Sequence, residues 1–281
     1  MTTPTSSPRW AELSADAPDS FRPPRGSLRV LEYLLLVWRR SLVSSLVAAV
    51  GAPLLYLLAL GFGLGKLVNA GPGAAALGGV SYVQYLAPAL ITAAALQAGT
   101  SEAAFPAYSR FKWTRVFWGM TASPITPRQI ADGQMLFFAT RLVVNSVLYY
   151  LVLLAFGAGG GSAGALVIPV AVLTGLSFCV WVLALSATVR DEGTAFNVVF
   201  RFVVIPMTLF SGSFFPIDAL PGIVRPLAWI SPLWHGNQLA RAAALGTGTP
   251  LAVLGHVLFL LVLAVVGLLV ARRQFRVRLI E

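Results

Sequence analysis

The sequence predicts an all-α polytopic membrane protein, and three observations carry the prediction. Hydrophobic residues make up 57% of the chain and charged ones 11%, whereas a soluble domain carries about 25% charged residues. Six stretches of about twenty mostly apolar residues recur, each long enough to cross ~30 Å of hydrocarbon at a helical rise of ~1.5 Å per residue. Basic residues outnumber acidic ones by 20 to 10 and gather in alternate connections between those stretches.

Residues 1–26 are rich in Pro, Ser, Thr and charge and lack the apolar core of a signal peptide, so they read as a disordered cytoplasmic tail. Over 27–41, Leu28, Leu31, Leu34, Leu35 and Trp38 share one helical face while Arg29, Glu32, Arg39 and Arg40 fall elsewhere. That is the pattern of an amphipathic helix lying in the membrane interface. Spans follow at 42–61, 80–100, 134–156, 166–189, 195–210 and 251–270. Pro53, Pro88 and Pro169 lie within or near span ends, where neighbouring helices can re-satisfy freed carbonyls.

Orientation follows from the basic residues. With the N-terminus inside, the cytoplasmic side receives Arg29, Arg39 and Arg40, then Arg110, Lys112, Arg115 and Arg128, then Arg190, then Arg272, Arg273, Arg276 and Arg278. The outside keeps Lys66, Arg225 and Arg241. The positive-inside rule then places both termini in the cytoplasm and the chain in the plasma membrane as a multi-pass protein, with 273–281 a basic cytoplasmic tail. It also explains a pI near 10.6 without nucleic acid as a partner.

The cytoplasmic loop 104–133 interleaves basic and aromatic residues in Tyr108-Ser-Arg-Phe-Lys-Trp-Thr-Arg-Val-Phe-Trp118. Such a segment anchors at the headgroups as an interfacial helix, docks a cytoplasmic partner, or does both. Glu102, Arg141 and Arg201 are ionisable groups within or beside spans, and Asp132 precedes the third. An ion pair of Glu102 with Arg141 or Arg201 is the expectation, since long Arg side chains near an interface pair or snorkel. No chain of Asp, Glu or His occupies the midplane, which disfavours an ion-gradient-driven carrier or channel.

Catalytic residues are predicted to be absent, as are metal ligands and cofactor-binding residues. The histidines are His235 and His256, with no H-E-x-x-H, nucleophile elbow or acidic cluster. A membrane-embedded lipid-modifying enzyme using His235 is therefore a weak alternative. Gly157-Ala-Gly-Gly-Gly-Ser162 lacks the Gly-Lys-Ser/Thr ending of a phosphate loop and reads as a tight linker. Cys179 has no disulfide partner and reads as a small packing residue.

Residues 211–241 are too apolar for a loop and too broken for a helix, the signature of a re-entrant element beside a pathway on the outer side, before the sixth span. Phe210, Phe214 and Phe215 supply an apolar constriction, Gly212 and Pro216 let the chain turn, and Trp229 and Trp234 fit an outer aromatic belt. Plain helix packing is the simpler role for the same rings.

These residues carry a family resemblance. Leu209-Phe-Ser-Gly-Ser-Phe-Phe-Pro-Ile-Asp-Ala-Leu-Pro221, Ser231-Pro-Leu-Trp-His-Gly-Asn-Gln-Leu-Ala-Arg241, Phe111-Lys-Trp-Thr-Arg-Val-Phe-Trp-Gly-Met-Thr-Ala-Ser-Pro124 and Asp132-Gly-Gln134 resemble the permeases of ABC-2-type exporters. The nearest branch is that of nodulation-type lipo-oligosaccharide export and daunorubicin-type drug export. The resemblance covers about 28–272 and implies a type V exporter fold working as a homodimer or heterodimer of permeases. It further implies a separate ATP-binding subunit that holds ATP and Mg, so that this chain has no ATPase site of its own. By the same resemblance the coupling interface lies at Arg110, Phe111, Lys112, Trp113, Arg115 and Phe117, with the 28–40 helix as a second contact. The outer gate lies at Phe210, Gly212, Phe214, Phe215 and Pro216, and the pathway at the dimer interface between the second and fifth spans.

Overall fold

The computed structural model describes residues 25–71, 79–161, 163–191 and 193–280; the predicted tail up to residue 24 lies outside them. Among the described residues every regular element is helical. Together with the apolar composition, this makes the chain a polytopic membrane protein.

Helix α1 (Gly26–Arg39) packs along α7 (Pro127–Ala155). Its buried residues are Gly26, Val30, Leu34 and Trp38, four apart and hence on one face. This corrects the expected apolar face, because Leu28 is exposed and Leu31 and Leu35 are only partly buried. One side of α1 is thus spent on α7, and another forms an open groove lined by Leu28, Leu31, Leu35 and Leu36 together with Glu32 and Arg39. The close α1–α7 approach depends on Gly133, where a Cβ would sit 2.5 Å from the Val30 Cβ.

The first predicted span is longer than its apolar pattern. α2 (Leu42–Tyr56) continues through a π-helical stretch, Leu57–Leu64, into α3 (Gly65–Ala70). α4 (Tyr82–Ala103) starts at a capping box in which the Ser81 hydroxyl accepts from the Gln84 N–H and the Gln84 side chain accepts from the Ser81 N–H. Pro88 lies inside it. The connection 104–133, expected to carry a short helix, holds two, α5 (Phe105–Lys112) and α6 (Val116–Thr121), and then the start of α7 at a second capping box, Thr126 with Gln129.

α8 (Val167–Thr188) is the central post, lying against α4, α7, α12 (Pro232–Leu245) and α13 (Pro250–Ile280). Its buried Thr174, Ser177 and Ser186 hydroxyls donate back to their own helix at 2.8 Å, to the carbonyls of Val170, Thr174 and Leu183. A polar side chain can enter an apolar core this way without leaving its proton unpaired. Cys179 is fully buried and faces Gly99 of α4, so it is a helix-packing residue.

The fifth apolar stretch is α9 (Thr194–Val199), a π-helical stretch Phe200–Val204 and α10 (Ile205–Phe210). Only Phe196, Val204 and Met207 of it are buried. A 3-10 turn at Ile217–Ala219, α11 (Arg225–Ile230) and α12 follow. Among the described residues three helices are long and apolar enough to cross a membrane, Pro127–Ala155, Gly164–Thr188 and Pro250–Ile280, while Thr194–Phe210 is shorter. α13 also corrects the expected tail at 273–281, because the helix runs through to Ile280.

Candidate functional site

Two polar and aromatic assemblies stand at opposite ends of the bundle. At the first end α5 and α6 form a hairpin that turns at Arg115, whose φ of 51° lies in the left-handed region, an uncommon conformation for a non-glycine residue. Phe111 and Phe117 are almost fully buried, with ring centroids 4.7 Å apart and 4.8 and 5.5 Å from Phe275 of α13. Their reading as outward-facing anchors is therefore corrected. The hairpin folds both rings to its inner face, where burial removes two large apolar surfaces from water. Arg110 also turns inward, and the Lys112 Nζ donates to the Asp191 carbonyl at 2.6 Å. The large or charged side chains exposed at the hairpin tip are Trp113 (57% exposed), Arg115 and Trp118 (36%), beside the exposed Thr114 and Gly119.

Behind the hairpin, Glu102 on α4 is held from two sides. Its Oε1 accepts from Arg110 Nη2 at 3.2 Å and its Oε2 from Arg141 Nη1 of α7. Arg110 also donates to Gln134 Oε1 at 3.4 Å, and the Arg141 guanidinium lies 5.8 Å from the Trp38 ring centre. Arg201 is exposed on the π-helical stretch and takes no part in this cluster, which corrects it as a partner for Glu102. Asp132, one turn from Arg128, pairs with Arg272 of α13 at 2.5 Å. The consecutive residues Asp132, Gly133 and Gln134 therefore reach α13, α1 and α5 respectively.

At the opposite end the turn Ser211-Gly212-Ser213 is buried, with Gly212 at φ 70°. Arg241 on α12 donates from Nη2 to the Gly212 carbonyl at 2.6 Å and from Nε to the Tyr85 carbonyl at 3.3 Å. Its guanidinium lies 3.8 Å from the Tyr85 ring centre. Asn237, one turn earlier, donates to the Ser211 carbonyl and Ser213 Oγ, both at 2.9 Å, and its Oδ1 accepts from Thr92 at 2.6 Å. Tyr85 and Tyr82 hydroxyls donate to the carbonyls of Gly212 and Phe214 at 3.4 and 3.3 Å. Backbone that is not helical thus has its polar groups satisfied by side chains, as an apolar surrounding requires. Of the predicted gate residues, Gly212 is buried in this knot, Phe210, Phe214 and Pro216 are partly buried, and Phe215 is exposed.

The two histidines meet beside the knot, Nδ1 to Nδ1 at 2.7 Å, and His235 Nε2 donates to the Trp229 carbonyl at 2.9 Å. The His235 ring stacks on Phe259 at 3.9 Å. Both ring nitrogens of His235 are therefore engaged in hydrogen bonds.

Sequence reasoning passed over Tyr85, Thr92, Asn237, Arg241, Phe275 and Arg278. A signal existed for two of them, since Asn237 and Arg241 stand four apart on one helix and so share a face. Tyr85 and Thr92 on α4 find their partners more than a hundred residues away, which local spacing does not reveal.

Residues 30–245 match the family model described as "ABC-2 type transporter". Nodulation protein J of Rhizobium leguminosarum bv. viciae is 30% identical over 88% of this chain and 92% of that protein. Nodulation protein J of Rhizobium meliloti (strain 1021) is 28% identical over 87% and 90%, and that of Bradyrhizobium diazoefficiens 29% identical over 88% and 91%. No solved structure matches the chain.

Proposed function

The chain belongs to the ABC-2 type transporter family, and from that membership we propose that it is the transmembrane permease of an ATP-driven exporter. Its cargo is an amphiphile carried outward from the cytoplasmic side, a lipid-linked saccharide in the first reading and a hydrophobic drug in the second. Six crossings at 42–61, 80–100, 134–156, 166–189, 195–210 and 251–270 leave both termini in the cytoplasm of a plasma-membrane protein. The α5–α6 end then faces the cytoplasm and the Arg241 knot faces outward. ATP and Mg bind a separate subunit, and two permeases, identical or different, form the pathway.

The observation that carries this reading is the α5–α6 hairpin. Its tip exposes Trp113, Arg115 and Trp118, while its inner face is tied to α4, α7 and α13 through Arg110, Phe111 and Phe117. Exposed Trp and Arg are the residue types that dominate protein interfaces, and buried ties to several helices allow a push at the tip to reach the bundle. At the outer end, Phe210, Phe214 and Phe215 flank a turn fixed by Arg241 and Asn237, which suits a dry gate on a rigid base.

The test is reconstitution. The chain and its ATP-binding subunit are purified together, placed in vesicles, and assayed for movement of a fluorescent acylated oligosaccharide and of a fluorescent hydrophobic drug. ATP-dependent movement that survives collapse of ion gradients supports the proposal. Movement that follows a gradient and ignores ATP overturns it in favour of a secondary transporter.

A further inference from the structure

The last helix does not end where its apolar stretch ends. α13 continues past position 270 to Ile280, well outside the residues 30–245 that match the family model. This extension is packed, with Phe275 and Leu279 buried and the Phe275 ring against both Phe111 and Phe117. Arg278 completes the contact. Its guanidinium lies 4.4 Å from the centre of the Phe111 ring and 5.7 Å from that of Tyr108, both on α5. Its Nη1 donates to the carbonyls of Ser186 and Val189 at 2.7 Å each.

Those carbonyls belong to the C-terminal end of α8, where the last turn has no intrahelical donors and carries partial negative charge. Burial holds the Arg278 guanidinium below its ordinary pKa, while the nearby Tyr108 works the other way. Tyr108 strengthens the same junction, because its hydroxyl donates to the Asp191 carbonyl just beyond α8. α5 is thus fastened to the end of the central post.

We infer that Arg278 is a positioning residue for transport: it clamps the coupling helix α5 to the end of α8, so that displacement of the α5–α6 hairpin is delivered to α8. α8 lies against α4, α7, α12 and α13 and would spread the movement. The flat guanidinium lies over Phe111 while one of its nitrogens donates to both carbonyls; a lysine ammonium could donate to the carbonyls but has no flat face to set on the ring. The inference rests on the reading of the hairpin tip as the surface that meets the ATP-binding subunit.

The experiment is hydrogen exchange on the full complex in vesicles, with and without ATP plus vanadate, for wild type, Arg278→Met and Arg278→Lys. In the wild type, nucleotide is expected to change amide exchange in both α5 and α8. In Arg278→Met the α5 change persists and the α8 change falls roughly fivefold or more, with partial recovery in Arg278→Lys and an unchanged amount of ATP-binding subunit in the complex. An α8 response equal to wild type in Arg278→Met overturns the inference. Where Arg278→Met does not assemble, Arg278→Lys is read by the same criterion, and a full α8 response there overturns it. A wild-type complex with no nucleotide response in α5 instead overturns the docking reading, and the inference falls with it.

Discussion

The Arg241 guanidinium on α12 lies over the Tyr85 ring of α4 at 3.8 Å and donates to the Gly212 carbonyl at 2.6 Å. One side chain therefore joins two helices and the turn before α11. A buried cation of this kind is stable because carbonyl oxygens and a ring face replace its water.

Arg241→Met is expected to remove the charged donor from the Gly212 and Tyr85 carbonyls, at about 1.5–3 kcal/mol for each hydrogen bond lost, while the Gly212 carbonyl keeps the Tyr85 hydroxyl as a donor. Arg241→Lys retains the charge and loses the fork, so it should fall between the two. The thermal unfolding midpoint of the detergent-solubilised chain measures this order; an Arg241→Met midpoint equal to wild type refutes it.

Phe111 and Trp113 should separate folding from docking. Phe111→Ala opens a cavity against Phe117 and Phe275, at about 3–5 kcal/mol, and lowers the unfolding midpoint. Trp113→Ala removes a ring that is mostly exposed and touches only the Tyr108 ring edge-on, so it lowers the midpoint far less than Phe111→Ala and reduces co-purification of the ATP-binding subunit. Equal subunit recovery with Trp113→Ala would count against the hairpin tip as the docking surface.

Glu102 neutralises two guanidiniums that are 14% and 25% exposed. Glu102→Ala strands both in a largely dry site and should cost about 3 kcal/mol. Adding Arg141→Met to Glu102→Ala removes one stranded charge and should restore part of the loss. A double variant destabilised by the full sum of the singles shows that the pair is not coupled.

Gly133→Ala brings a Cβ to 2.5 Å from Val30, so α1 must lift from α7. Limited proteolysis should then cut α1 faster than in the wild type, because the clash is with the Val30 Cβ and the Ser27 carbonyl, which cannot move without the helix. No change in cleavage rate would show that α1 is held elsewhere.

Apolar length and charge made much of the bundle legible. The fifth stretch, placed at 195–210, is helical over 194–210, and the fourth, placed at 166–189, lies within one or two residues of Gly164–Thr188. Helix ends in polar sequence were harder. α7 begins at Pro127 and α13 ends at Ile280 because capping at Thr126 and burial of Phe275 and Leu279 extend them past their apolar runs. The α5–α6 rings were visible as aromatic residues, while their direction depended on Phe275, which lies more than 150 residues away. The Arg241 knot was hidden for the same reason, since each of its parts acquires meaning from a distant partner.

Asp132, Gly133 and Gln134 each meet a different neighbouring helix, and this constrains chain length as well as residue type. One inserted residue between Pro127 and Asp132 would rotate the three by about 100° about the α7 axis or force the capping box at Thr126 to shift. Either way the links to α13, α1 and α5 would be lost together. The start of α7 should therefore be intolerant of insertions and deletions, and related chains should differ in length elsewhere, beginning with the exposed turn at Trp113, Thr114 and Arg115.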